Sequence, residues 1–265
     1  MRVLILGGTG EARELAALLH GDNVAVISSL AGRVARPRLP VGEVRIGGFG
    51  GPEKMAEWLR AERIDRVVDA THPFAERISA SAAQATARAG VPLLRLARPG
   101  WRERDPGRVG ASANDAPVAR AERAADRWTW VEDLDEAAAA IPALGSRVLL
   151  TTGRQGLPAF AASDAFFLIR CVDPPDPPLP RDHELLLDRG PYTVAGELSL
   201  IDRHRLDLVI TKDSGGALTV AKLDAARERG LPVIVVRRPP SPAGVEAVAT
   251  VAAAQAWVLG ATAPG

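Results

Sequence analysis

The 265-residue sequence holds one cysteine, one tyrosine and three lysines, and each scarcity removes a class of chemistry. Cys171 alone cannot close an intramolecular disulfide or build a cysteine metal cluster. Tyr192 is followed by Thr193-Val194-Ala195-Gly196, so the Tyr-x-x-x-Lys pair of short-chain dehydrogenases is missing. His20, His72, His183 and His204 show no ligand spacing, so no protein metal site is expected. There is no Gly-x-Ser-x-Gly elbow and no Walker lysine loop. No apolar run approaches the ~18 residues of a membrane span, and no charged-then-apolar leader is visible, so a soluble cytoplasmic protein is expected. A net charge of +1 gives no reason to expect nucleic acid or an anionic membrane as partner. The positive charge is almost all arginine, the side chain better shaped to fork carboxylates and phosphates; the lysines are Lys54, Lys212 and Lys222.

What is present is organised around residues 1–15, MRVLILGGTGEAREL. Val3-Leu4-Ile5-Leu6 has the length of a buried strand, and Ala12, Leu15, Ala16 and Leu19 recur at helical spacing. Gly7, Gly8 and Gly10 lie between them. Such a strand-glycine-helix unit can aim amide N–H groups at a phosphate, and it opens a dinucleotide-binding βαβ pattern. The Gly-x-Gly-x-x-Gly fingerprint is imperfect: counted from Gly8, Arg13 stands at the third glycine; counted from Gly7, Ala12 is the small residue. A turn serving only the fold stays open beside the phosphate reading.

The next strand, residues 23–28, runs into Ser28-Ser29-Leu30-Ala31-Gly32-Arg33 with no acidic residue for ribose hydroxyls. Two hydroxyls followed by Arg33 and Arg36 suit a 2′-phosphate and favour NADPH; a solvated loop is the alternative. Val44-Arg45-Ile46 stops in Gly47-Gly48-Phe49-Gly50-Gly51-Pro52, where dense glycine suggests backbone close to a ligand, and Pro52 opens a helix with Met55, Trp58 and Leu59. The strand at residues 64–70 delivers Ala70, Thr71 and His72 to the carboxyl edge, where open α/β sheets bind ligands. His72 is either a catalytic residue or a cap. A helix over 75–89, Gly90-Val91-Pro92 and a strand at 93–96 complete the half.

Residues 101–126 read as a linker or surface insertion, with a short helix at 116–125. Then a helix at 134–141 and strands at 147–150, 166–170, 184–187 and 208–210 follow, with helices at 197–203 and 217–229 and a last core strand at 233–236. Residues 171–180 are proline-rich and extended. The domains expected are therefore 1–100 for the nucleotide, 101–126 as linker, and 127–265 contributing the substrate site. Residues 65–99 and 207–239 share the order strand, polar loop, helix, Gly-x-Pro, strand, Arg-Pro, which suggests an internal duplication.

Two further loops carry chemistry. Thr151-Thr152-Gly153-Arg154-Gln155 and Thr211-Lys212-Asp213-Ser214-Gly215-Gly216 each combine hydroxyls, glycine and a cation after a strand, a set suited to a ligand with several carboxylates or phosphates. Lys212 binds an anion or, with Asp213, moves a proton; alternatively Asp213 or Ser214 caps a helix and Lys212 faces solvent.

Taken together, Gly7-Gly8-Thr9-Gly10-Glu11-Ala12-Arg13, Asp69-Ala70-Thr71-His72-Pro73-Phe74-Ala75, Arg98-Pro99-Gly100-Trp101, Thr151-Thr152-Gly153 and Thr211-Lys212-Asp213-Ser214-Gly215-Gly216 resemble the precorrin-6A reductases of cobalamin biosynthesis, including the cobalt-precorrin-6A reductases of the anaerobic route. The segment 104–123 is longer than that family leads one to expect. The resemblance implies an α/β fold of two Rossmann-like halves with mainly parallel sheets and a cleft between them. It also implies NADPH-dependent reduction of a tetrapyrrole, the macrocycle being the small-molecule partner and NADPH the cofactor. A monomer, working beside other enzymes of the pathway, is expected. On this reading Gly8, Thr9, Gly10, Glu11 and Ala12 hold the pyrophosphate, Ser28, Ser29 and Arg33 the ribose and its phosphate, and Gly47 and Gly48 lie along the nucleotide. Ala70, Thr71 and His72 lie near the nicotinamide. Thr152, Gly153, Arg154, Gln155, Lys212, Ser214 and Gly215 meet the substrate, with Lys212, Asp213 and His72 as candidates for the proton. A nucleotide sensor without catalysis and a sugar-nucleotide transferase are the competing classes.

Overall fold

The computed structural model describes residues 1–32, 38–102, 126–216 and 219–260. They fall into two units, Met1–Pro99 with Pro239–Gly265, and Gly100–Arg238. The first unit begins with β1 (Arg2–Leu6), whose unbroken apolar run is what a strand covered on both faces requires. Val3 and Ile5 pack against Ala12, Leu15, Ala16 and Leu19 of α1 (Gly10–Gly21). Leu4 and Leu6 face the other way, onto Met55 and Leu59 of α2 (Pro52–Ala61) and Ala82 and Ala85 of α3 (Glu76–Ala89). Each such fully buried leucine contributes roughly 1.5–3 kcal/mol. The other strands are β2 (Ala25–Leu30), β3 (Glu43–Ile46), β4 (Arg66–Asp69), β5 (Leu93–Leu96) and, from the far end of the chain, β12 (Glu246–Val248), which is followed by α7 (Val251–Leu259).

The second unit contains β6 (Trp128–Val131), α4 (Leu134–Leu144), β7 (Arg147–Leu150), a 3-10 turn (Arg154–Phe160), β8 (Phe166–Cys171), β9 (Asp182–Leu187), α5 (Val194–His204), β10 (Leu208–Lys212), α6 (Ala221–Glu228) and β11 (Val233–Val236). Both sheets are six-stranded and parallel throughout, ordered β12-β5-β4-β1-β2-β3 and β6-β11-β10-β7-β8-β9. Each is a doubly wound sheet. The order reverses between β1 and β4 in one unit and between β7 and β10 in the other, and ligands bind at such reversals, beyond the carboxyl ends of the strands.

The two orders match strand for strand except at one edge. The strand that follows β5 in the chain, β6, joins the second sheet, and the strand that follows β11, β12, joins the first. Each sheet therefore takes its sixth strand from the segment beyond the other's fifth. The expected domain 127–265 is corrected accordingly: its last stretch supplies β12 and α7 to the first unit, where Ala254 and Val258 are buried with Val3 and Leu15.

Other boundaries moved for local reasons. The second strand was expected at 23–28 but runs Ala25–Leu30, because Asn23 sits in the left-handed region at φ 60° and closes the turn after α1. The helix expected at 217–229 begins at Ala221. The shared Gly-x-Pro pattern has a common geometry: Gly90 and Gly230 have φ 70° and 63°, and the carbonyls of Pro92 and Pro232 accept from Val67 and Val209 at 2.9 and 3.1 Å. Nearly all of the expected linker, and the helix expected at 116–125, lie outside the described residues. Among the described residues no helix is long and apolar enough to cross a membrane.

Candidate functional site

In the first unit, β1 ends in Gly7, whose N–H donates to the Ser29 carbonyl at 2.9 Å, and Gly8 turns the chain at φ 111°, a conformation glycine adopts without strain. Thr9 caps α1. Its hydroxyl accepts from the Ala12 N–H at 3.1 Å and donates to the Ala70 carbonyl at 2.8 Å, tying the helix start to the end of β4. Thr9 thus has its backbone, not its hydroxyl, to offer a ligand, and the Ala12 N–H is already used. The N–H groups of Gly10 and Glu11 begin the first turn, where a helix has no internal acceptors and its dipole favours an anion. The Glu11 carboxylate, unwelcome beside a phosphate, is paired with Arg98 at 2.6 Å.

Across the reversal, Asp69 organises the loop after β4. It accepts from the N–H and hydroxyl of Thr71 at 3.1 and 2.6 Å and from Arg95 at 2.5 Å, and Arg95 also reaches the Ser79 hydroxyl at 2.6 Å. Asp69, Ser79 and Arg95 are buried, and this network is what holds Thr71 in place. His72 is exposed, and its Nδ1 accepts from the Phe74 N–H at 3.3 Å.

On the other side of β1, Ser28 and Ser29 lie within β2 rather than beyond it, and both are buried; the Ser28 hydroxyl has no protein partner. Gly47 donates its N–H to Leu30 at 2.8 Å, while Arg45 donates to the carbonyls of Gly47 and Gly48 at 2.6 and 2.8 Å. Arg33 lies outside the described residues.

The second unit repeats the arrangement at its own reversal. Thr151 donates its N–H and its hydroxyl to the Ile210 carbonyl at 3.0 and 3.2 Å, joining the ends of β7 and β10 as Thr9 joins the start of α1 to the end of β4. Thr152 is buried with an unpartnered hydroxyl, Gly153 turns at φ 80°, and Arg154 and Gln155 open the 3-10 turn. Lys212 ends β10 half-buried, and burial lowers its pKa from the ordinary lysine value.

Asp213 is already partnered. Its carboxylate is forked by Arg238 at 2.9 and 3.2 Å and accepts from the Trp101 N–H at 2.9 Å. The fit is close enough that a Cβ on Gly100 would stand 2.6 Å from Asp213 Oδ2. Ser214 and Gly215 follow, with Ser214 donating its N–H to the Lys212 carbonyl at 2.6 Å and Gly215 at φ 61°.

Beneath this loop is a charged cluster that sequence reasoning missed. Arg170 and Glu197 form an ion pair at 2.6 Å with both side chains buried. Lys222, also buried, donates to the Thr219 carbonyl at 2.6 Å and lies 4.6 Å from the Trp101 ring centre. Burial and the nearby Arg170 push its pKa down to about 7, against the pull of Glu197. The available signal was one charged residue inside each of two apolar strands, Arg95 in β5 and Arg170 in β8.

The paired reversals, one with a glycine turn leading into a threonine-capped helix, define a doubly wound α/β protein. Residues 2–259 match the family described as Precorrin-6x reductase CbiJ/CobK, and the chain belongs to that family of cobalamin-biosynthesis reductases. It is 52% identical over 259 residues to the Precorrin-6A reductase of Rhodococcus erythropolis, covering 97% of each chain. Against the Precorrin-6A reductase of Mycobacterium tuberculosis it is 51% identical over 261 residues, 98% of each. The solved structure of CobK precorrin-6A reductase superposes with a TM-score of 0.86 at 39% identity, over 99% of this chain and 98% of that one. A reductase of this family uses a nicotinamide cofactor.

Proposed function

We propose that the chain reduces the precorrin-6A macrocycle with NADPH, the first unit holding the nucleotide and the second supplying the substrate-binding loops. The observation that carries the cofactor side is the start of α1. A positive-φ glycine, a threonine cap and a salt-bridged Glu11 leave amide N–H groups and a helix dipole facing outward. Gly8, Thr9, Gly10 and Glu11 hold the pyrophosphate through their backbone, and Ala12 contributes packing. Ser28, Ser29 and Arg33 take the adenosine ribose and its phosphate, beside Gly47 and Gly48. Ala70, Thr71 and His72 border the nicotinamide, with Asp69 and Arg95 fixing that loop.

When bound, NADPH supplies a hydride to one carbon of the reduced double bond, and the other carbon then needs a proton. The chain's task is alignment and that proton. Lys212 suits it best, because burial makes its ammonium a readier donor than an ordinary lysine. Asp213, whose carboxylate accepts from Arg238 and from the Trp101 N–H, is the second candidate and fixes the loop that carries Lys212. His72 is the remaining candidate. Thr152, Gly153, Arg154, Gln155, Ser214 and Gly215 receive the macrocycle's carboxylates.

Nicotinamide oxidation by the purified protein with metal-free precorrin-6A, NADPH against NADH, tests the reading. The expected result is substrate-dependent oxidation, fastest with NADPH, and a product two hydrogens heavier. No oxidation with either the metal-free or the cobalt-containing macrocycle would refute it. Lys212→Ala should raise the substrate's half-saturation roughly tenfold and leave nucleotide affinity unchanged; an unchanged half-saturation removes Lys212 from the substrate site.

A further inference from the structure

β3 is the edge strand of the first sheet and pairs in parallel with β2, placing Ser29 opposite Arg45 in register. Register partners in a parallel pair project to the same side of the sheet. Arg45 therefore stands beside the hydroxyl-bearing end of β2, on the side where Phe49 and Trp58 cover the core. Its guanidinium lies 3.8 Å from the centre of the Phe49 ring and 5.6 Å from that of Trp58. The hydrogen bonds to the Gly47 and Gly48 carbonyls fix its remaining freedom.

What sets this arginine apart is its charge balance. The arginines at the neighbouring strand ends are neutralised, Arg95 by Asp69 and Arg98 by Glu11. Arg45 has only neutral partners, two carbonyls and two rings, and no carboxylate pairs with it among the described residues. Its two hydrogen bonds use two of the five guanidinium N–H groups, leaving three. Residues 28–32, at and just beyond the end of β2, hold no acid to receive ribose hydroxyls. A stacked, pre-oriented and uncompensated guanidinium next to such a strand end suits a phosphate monoester on the ribose.

We infer that Arg45 reads the 2′-phosphate of the bound nucleotide and is a main determinant of selectivity for NADPH over NADH. The inference rests on the NADPH reading above. The other role open to Arg45 is to hold the loop after β3 through its ring and carbonyl contacts, and a loop-holding residue would affect both nucleotides alike.

The two are separated by calorimetric titration with adenosine 2′,5′-bisphosphate and with 5′-AMP, which differ only in the 2′-phosphate. The wild-type protein should prefer the bisphosphate. Arg45→Met keeps an apolar stem over Phe49 and removes the charge, so it should weaken the bisphosphate roughly 10- to 100-fold while leaving 5′-AMP within about twofold. Arg45→Lys keeps the charge without the fork and should recover part of the preference. A wild-type protein with no preference overturns the NADPH reading and this inference with it. A wild-type preference that survives in Arg45→Met overturns the inference alone, as does an equal loss of both ligands in Arg45→Met and Arg45→Lys.

Discussion

Lys222 should be neutral over much of the alkaline range and should make the stability of the second unit depend on pH. It stands in the first turn of α6, where the helix dipole opposes a cation, with Arg170 nearby and Glu197 as a compensating charge. Its pKa is lowered from 10.5 to about 7. Between those values the unfolded chain binds a proton that the folded chain does not, so stability rises with pH across the window. It is lowest below pH about 7, where the folded protein must carry the buried charge. The slope reaches at most about 1.4 kcal/mol per pH unit, and integration from pH 7 to pH 9 gives about 2 kcal/mol. Lys222→Met keeps the stem against Trp101, leaves Arg170 and Glu197 as a balanced pair, and should abolish that rise. Lysine side-chain carbon NMR is the direct assay, because only Lys54, Lys212 and Lys222 give signals and Lys54 is exposed. The resonance lost in Lys222→Met should titrate close to neutral pH. A midpoint near 10.5, or urea midpoints that track together in the two proteins from pH 7 to 9, would refute the reasoning.

Two other substitutions test how the loops are held. Asp213→Asn removes the carboxylate that Arg238 forks and should cost about 2 kcal/mol in urea unfolding, with slower turnover and unchanged NADPH binding; Gly100→Ala, which drives a methyl into the same carboxylate, should act in the same direction. Full turnover in both would show that the clasp does not orient Lys212. Thr9→Val removes the helix cap and the tie to Ala70, so it should cost about 1–2 kcal/mol and weaken NADPH in a fluorescence titration, while Thr9→Ser restores both. Unaltered nucleotide affinity in Thr9→Val would separate the cap from the binding site.

How much could be read in advance differs between features. The first βα unit was legible because its signals are local: an apolar run, glycines, then Ala12, Leu15, Ala16 and Leu19 at helical spacing. The matching Gly-x-Pro turns were legible for the same reason. The strands β6 and β12 were not, since Trp128–Val131 and Glu246–Val248 are short edge strands whose partners are β11 and β5. Gly8, Thr71 and Lys212 were singled out by their position at or after strand ends, while the pairings that hold those loops were not. Asp69 with Arg95, Arg170 with Glu197, and Asp213 with Arg238 pair across 25 to 27 residues.

Sequence by itself determined the alternation of strand and helix, the glycine turn before the first helix and the family, because those depend on neighbouring residues and on spacing. Only the tertiary structure decided which sheet receives each sixth strand, which carboxylates are already neutralised, that Lys222 is buried, and that Arg45 has no carboxylate partner among the described residues. Burial and charge pairing are properties of the space around a side chain, and that space is assembled from segments the local sequence does not contain.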